Sequence, residues 1–335
     1  MSKKRILSGI QPTAGEPHFG NYFGAIQNWV RLQADYDCVF SVVNYHAMTM
    51  PYQPDKLREN TWALIFNLIA VGVKPENLSI QSLIPEHTEL GWILNCFCSY
   101  GELSRMTQFK EKSEQGQSVD KETFVSAGLF DYPVLQAADI LLYKADFVPV
   151  GKDQTQHLEL SRHIADRFNR SVGKDYFVLP EILFTDTPKV NSTAEPSKKM
   201  SKSLGDKHFI SIFEDSKVLD KKIRSAVTEA GGQPTEEIGV GLLNLLTLLK
   251  AAGNIEAADY YTQAIKEGKL VNAELKNQTS LALQQLTEQF RTQRAEVLAN
   301  KKQIKEQIKD SSAAIRLRAQ TTLKEVKELA GLLNY

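Results

Sequence analysis

Apolar positions in the first half of the chain follow two alternating rhythms. Arg5–Ile10 and the β-branched and aromatic run Cys38–Val43 read as strands, as do Leu78–Ile84 and the short Phe147–Val150. Between them the spacing lengthens to the helical period. Phe19–Asp35 puts Phe23, Ile26, Val30 and Ala34 on one face. Pro54–Val73 opens with proline in its first turn, where the missing N–H costs nothing. Glu86–Tyr100, Tyr132–Lys144 and Asp153–Asn169 complete the series. Strands alternating with helices predict an α/β fold with a doubly wound parallel sheet. The charged, Gly- and Gln-containing segment between Lys110 and Thr123 reads as a surface loop.

The strand rhythm stops after Gly205. Phe213–Thr228, Gly241–Ala252, Glu256–Glu267 and Asn272–Ala299 carry helical spacing, and Lys301–Leu333 reads as one or two basic amphipathic helices. An α/β part followed by an all-helical part is therefore expected, with the change near residue 205.

Composition narrows this picture. With 335 residues, 42% hydrophobic and 24% charged, the chain can bury a sizeable core in about two domains. Forty basic and forty acidic side chains cancel, so no global field attracts nucleic acid. The end is uneven: Arg291 to Tyr335 holds ten Lys or Arg against five Asp or Glu. Cys38, Cys96 and Cys98 are too few for a disulfide framework or a metal cluster, and are expected in the core of a protein from a reducing compartment. No long apolar region follows Met1–Arg5 and no run of eighteen apolar residues occurs, which predicts a cytoplasmic protein without membrane spans.

Two segments carry chemistry. Lys199-Met200-Ser201-Lys202-Ser203, between Pro196 and Gly205, has the composition of a mobile polyphosphate clamp. Pro12 to Asn21 joins a strand to a helix, a geometry that offers backbone N–H groups to an anion. Gln11 at the strand end can donate to a ligand. His18 and Asn21, three apart, share a helical face and can both donate to phosphate oxygens, while Gly20 leaves room for an adenine ring. Neither a Walker sequence nor Gly-x-Gly-x-x-Gly is present there. Asp139 interrupts the apolar stretch from Val134 to Leu142, so it either points to water or is paired for a purpose.

His18-Phe19-Gly20-Asn21 together with Lys199–Ser203 resembles the two signatures of class I aminoacyl-tRNA synthetases, with Asn closing the first as is common in the tryptophan branch. Longer strings agree. Ser8–Pro12, Gly101–Ser113, Tyr132-Pro133, Ala137–Tyr143 and Val148–Gln154 with His157 are similar to bacterial tryptophanyl-tRNA synthetases. The resemblance implies a Rossmann-like catalytic domain over 1–204, a helical anticodon-binding domain over 205–300, and a C-terminal helix within 301–335 packing back on the first. It implies a homodimer acting on L-tryptophan, on ATP with Mg²⁺ bound through its phosphates, and on tRNA(Trp).

Carried over by position, ATP contacts fall on Gln11, Pro12, Thr13, Gly20, Asn21, Gly151, Lys152, Asp153, Val190, Lys199, Met200, Ser201, Lys202 and Ser203. The amino-acid pocket falls on Leu7, Gly9, His46, Tyr132, Gln136, Val148, Val150 and Gln154, with Asp139 as the acceptor for the indole N–H. Leu7 and Gln136 depart from the family's frequent aromatic and Met. Lys199 and Lys202 would stabilise leaving pyrophosphate while His18 and Asn21 hold the phosphates. Phosphate attraction for tRNA would come from the basic end, including Arg291, Arg294, Lys301 and Lys302. The tyrosine branch, a small nucleotidyltransferase with the same first signature, and a non-catalytic paralogue are the alternatives.

Overall fold

The computed structural model describes residues 3–12, 16–107, 125–149, 151, 154–183, 188–229 and 232–333. Thr13, Val150, Lys152, Asp153 and the charged loop from Lys110 to Thr123 lie outside them. Five strands, β1 (Arg5–Ile10), β2 (Asp37–Val42), β3 (Leu78–Ile80), β4 (Phe147–Pro149) and β5 (Glu181–Leu183), form one sheet in the order β3-β2-β1-β4-β5. Every pairing is parallel, with Ile6 opposite Cys38 and Phe147.

Both faces of the sheet are covered, which is why β2 reads as an unbroken apolar run. Side chains alternate between two cores. Ile6, Phe40 and Val42 join the core built with α1 (19–32) and α2 (Pro54–Ala70). Leu7, Val39 and Val148 join the opposite core, built with α3 (Glu86–Asn95), α4 (Ala127–Leu141) and α5 (Thr155–Val172). The winding reverses between β1 and β4, and in such sheets ligands bind beyond the carboxyl ends of the strands flanking that point.

The helical part comprises α6 (Ser216–Arg224), α7 (Val240–Ala251), α8 (Ile255–Lys266), α9 (Asn272–Ala299) and α10 (Lys301–Leu329). Its core is continuous with that of α1 and α2, and Phe290 of α9 meets Tyr22 of α1 edge-on at 4.9 Å. Helix α10 crosses the edge strand: Ser311 Oγ donates to the Leu78 carbonyl at 2.7 Å and the Ile80 N–H donates to Ser312 Oγ at 3.3 Å. A sheet edge is thereby covered. Arg316, Arg318 and Lys327 of α10 pair with Glu86, Asp37 and Glu89, so much of the basic excess is spent within the chain.

Some expectations shift. Strand β3 ends at Ile80, because the chain turns into a short helix, Gln81–Leu83, that sends Gln81 inward. Strand β5, three half-exposed residues, has no readable period. Helix α1 contains a wider π turn at Tyr22–Ile26. Helix α3 stops at Asn95, so Cys96 is exposed rather than in the core; Cys38 is buried. Helix α4 begins at Ala127, capped by Ser126 Oγ accepting from the Leu129 N–H, earlier than the expected Tyr132. No helix among the described residues is long and apolar enough to cross a membrane.

Candidate active site

Asp139 is 3% exposed and does not face water. Its Oδ1 lies 2.6 Å from His87 Nδ1 and its Oδ2 lies 2.8 Å from His46 Nε2. The Gln81 amide donates to both oxygens, at 2.9 and 3.0 Å. His46 follows β2 and Gln81 follows β3, so the carboxylate is gripped at the carboxyl edge of the sheet. Burial alone would raise its pKa. Electrostatic attraction and hydrogen bonds from His87 and His46 outweigh burial and hold it well below the usual carboxylate range. Tyr143 Oη lies 2.8 Å from His87 Nε2, behind the network.

Other pocket candidates surround this group. Tyr132 and Asp139 lie on α4, two turns apart and on one face. The Tyr132 ring meets His46 edge-on at 6.2 Å, and its hydroxyl lies 2.7 Å from His157 Nε2. Burial pushes the Tyr132 hydroxyl up to about 12. Leu7 and Val148 are buried in the same core. Gly9 sits where a Cβ would come within 2.9 Å of Val43 Cγ1, so the close strand approach demands glycine. Gln136 is half-buried on α4, and Gln154 caps α5, its N–H donating to the Gly151 carbonyl at 3.0 Å.

The two signature segments meet. The His18 backbone N–H donates to Asn21 Oδ1 at 3.1 Å, closing the first turn of α1. Phe19 N–H donates to the Ile210 carbonyl at 3.0 Å, tying this turn to the segment after the lysine loop. A Cβ on Gly20 would lie 2.9 Å from the His18 ring and 3.3 Å from Met200 Cβ. The glycine therefore lets the histidine fold over it and lets the lysine loop dock, rather than leaving open space as expected. The loop is pinned by Met200 N–H donating to the Val190 carbonyl at 3.2 Å, and Ser201 and Ser203 hydroxyls lie 2.8 Å apart. Gln11 is exposed at the end of β1, and Pro12 is buried.

Electrostatics follow from this meeting. His18 is buried, with Nδ1 lacking a hydrogen-bond partner among the described residues. Burial first, then the ammonium groups of Lys202 and Lys199, push its imidazole down to about 4, so it is neutral at neutral pH. Burial also lowers Lys202, opposed by the Glu16 carboxylate. Glu16 accepts from Ser211 Oγ at 2.9 Å and pairs with Arg294 of α9, whose guanidinium stacks 4.3 Å from the Phe213 ring. Arg294 is thus paired within the chain. Arg291 sits 3.9 Å from Asp215, while Lys301 and Lys302 are exposed.

Sequence reasoning missed Gln81, His87, Tyr143 and Glu16. Gln81 lay inside an apolar run read as strand, and His87 in the first turn of a helix; a polar residue at a position the pattern buries was the available signal.

Comparison with known proteins agrees with this arrangement. Residues 2–288 match the family described as tRNA synthetases class I (W and Y). The tryptophan–tRNA ligase of Clostridium perfringens is 42% identical over 99% of this chain and 98% of its own length. Tryptophan–tRNA ligase 2 of Streptomyces avermitilis is 46% identical over 78% of each. Among solved structures, the Mycoplasma pneumoniae tryptophanyl-tRNA synthetase superposes with a TM-score of 0.85 at 33% identity, covering 99% of this chain and 98% of that one. The Campylobacter jejuni enzyme complexed with ADP and tryptophan gives 0.79 at 33% identity, covering 98% and 100%. With a buried acceptor and a cationic clamp on one parallel sheet, the chain belongs to the class I tRNA synthetases of the tryptophan and tyrosine branch.

Proposed function

We propose that the chain is a tryptophan–tRNA ligase. The carboxylate of L-tryptophan attacks the α-phosphorus of ATP, the bond to the β-phosphate oxygen breaks, and pyrophosphate leaves. A hydroxyl of the terminal adenosine of tRNA(Trp) then attacks the carbonyl of tryptophanyl-adenylate and releases AMP. Neither step needs a nucleophile on the protein, so catalysis is positioning and charge neutralisation. The observation that carries this reading is the docking of the lysine loop on the first signature, Met200 against Gly20 and Lys202 beside His18.

In this reading Lys199 and Lys202 neutralise the leaving pyrophosphate, and neutral His18 with Asn21 holds phosphate oxygens. Gln11, Gly151, Ser201 and Ser203 line the nucleotide side. The groups nearest the phosphates are cations, which fit phosphate rather than a metal ion. Mg²⁺ would ride on the phosphate oxygens and neutralise part of their charge. On the amino-acid side Asp139 accepts from the indole N–H, the ring's single donor. Phenylalanine offers no N–H to that carboxylate, so it forgoes this bond and should be bound more weakly.

The helical part, about 205–300, reads the anticodon. Two copies of the chain join through the face where Trp92 and Tyr100, 74% and 77% exposed, border a cavity of about 420 Å³ with Phe130. Exposed aromatics of this size support an interface. ATP–pyrophosphate exchange with each of the twenty amino acids tests the reading: tryptophan should support it, and faster exchange with tyrosine would move the chain to the sister activity. Changing the anticodon bases of tRNA(Trp) should impair aminoacylation and leave exchange intact.

A further inference from the structure

Asp139 carries the amino-acid choice in the reading above, yet its own surroundings are unusual. Three side chains present hydrogen to a carboxylate that is almost wholly buried. Gln81 is fixed at both ends: its amide straddles the two carboxylate oxygens while its Oε1 accepts the Tyr45 N–H at 3.0 Å. His87 has 0% side-chain exposure and is held on both ring nitrogens, Nδ1 by Asp139 and Nε2 by the Tyr143 hydroxyl.

We propose that His87 and Tyr143 are positioning residues for amino-acid selection, a relay running from the Tyr143 hydroxyl through the His87 ring that fixes the charge and orientation of Asp139. The inference rests on the reading of Asp139 as the indole acceptor. A phenol hydroxyl donating to Nε2 leaves the ring hydrogen on Nδ1, which then donates to Asp139 Oδ1. Burial and the neighbouring Asp139 charge raise the Tyr143 hydroxyl well above its ordinary value, so it stays a donor. Tyr143 follows Asp139 by four residues, just past the end of α4, so both ends of the relay are set by one segment.

The physical need is plain. A carboxylate this buried, deprived of a donor, either takes up a proton or turns aside. A protonated carboxyl presents a hydrogen of its own. Either change removes the preference for a ligand with an N–H over an isostere without one. A residue that merely supported the fold would slow both ligands alike.

The experiment compares ATP–pyrophosphate exchange with L-tryptophan and with β-(benzothiophen-3-yl)-L-alanine, in which sulfur replaces the N–H. The readout is the ratio of the two kcat/KM values, with KM for ATP as the control. His87→Leu should lower the ratio at least about tenfold, the loss of roughly one hydrogen bond to a charged group. Tyr143→Phe, which loses only the hydroxyl, should lower it about threefold. His87→Asn, which can place an amide N–H near the Nδ1 position, should stay within about threefold of wild type. Equal slowing of both amino acids in His87→Leu, with the ratio unchanged, overturns the relay. Should that variant not fold, an unchanged ratio in Tyr143→Phe overturns it, as does a fall of about tenfold or more in His87→Asn. A wild-type enzyme that does not prefer tryptophan over the sulfur isostere would instead remove Asp139 as the acceptor, and the relay with it.

Discussion

His18 offers a sharp test of how the two signatures meet. Its imidazole is buried beside Lys202 and Lys199, and its pKa is pushed from 6.5 to about 4. The unfolded chain therefore binds a proton at this position more readily than the fold does. A depressed histidine leaves the fold at full stability above pH 6.5, and stability is lost as pH falls toward 4. Linkage sets the size: about 1.4 kcal/mol lost by pH 5.5 and about 3 kcal/mol by pH 4 from this residue. His18→Gln keeps a polar side chain but cannot titrate. Urea unfolding of both proteins from pH 7.5 to 4 should give stability curves that diverge on acidification, wild type falling faster by these amounts. Parallel curves would show that His18 is not held neutral by burial and the two lysines. Lys202→Met with His18 intact should shrink the divergence, because one cation near the ring is gone.

Lys202→Met should also slow single-turnover adenylate formation about 5- to 1000-fold, the span given by roughly 1–4 kcal/mol for a charge about 4 Å from phosphate at effective dielectrics between bulk water and about 20. Tryptophan affinity, read by equilibrium binding without ATP, should be unchanged. Arg316→Leu strands Glu86, whose side chain is 8% exposed, and should cost roughly 1–3 kcal/mol in denaturant unfolding. Arg318→Leu breaks a pair whose side chains are 49% and 33% exposed and should cost under about 1 kcal/mol. Trp92→Glu should shift sedimentation toward a single copy of the chain, since it places charge on the exposed aromatic face.

The alternating rhythm made the parallel sheet legible because both faces are buried: β1 and β2 differ from their expected bounds by no more than a residue. What escaped had a local cause. Glu181–Leu183 is held by pairing with β4 rather than by its own pattern, so β5 carried no signal. Leu78–Ile84 is apolar enough for one strand, but Gln81 is worth more turned onto Asp139 than left in the ladder. The two signatures could be found as strings, whereas their contact could not, since it depends on His18 folding over a glycine that Met200 also approaches. Asp139 stood out as a lone carboxylate in an apolar helix. Its three donors come from segments 52 to 93 positions away, beyond any local spacing rule.

The two charged centres draw on opposite faces of one strand. Ile6 belongs to the core under α1, which presents His18 to the lysine loop, and Leu7 belongs to the core around α4, which holds Asp139. Alternation along β1 thus keeps a neutral histidine among cations apart from a buried anion among imidazoles. Were the two merged, Asp139 would pair with Lys199 or Lys202 and neither charge would remain for a substrate. Under the proposed function, their separation would let a zwitterionic amino acid lay its ring toward the anion and its carboxylate toward the phosphate side. Substitutions at the anion should therefore act on which amino acid is chosen, and substitutions at the cations on how fast its carboxylate reacts.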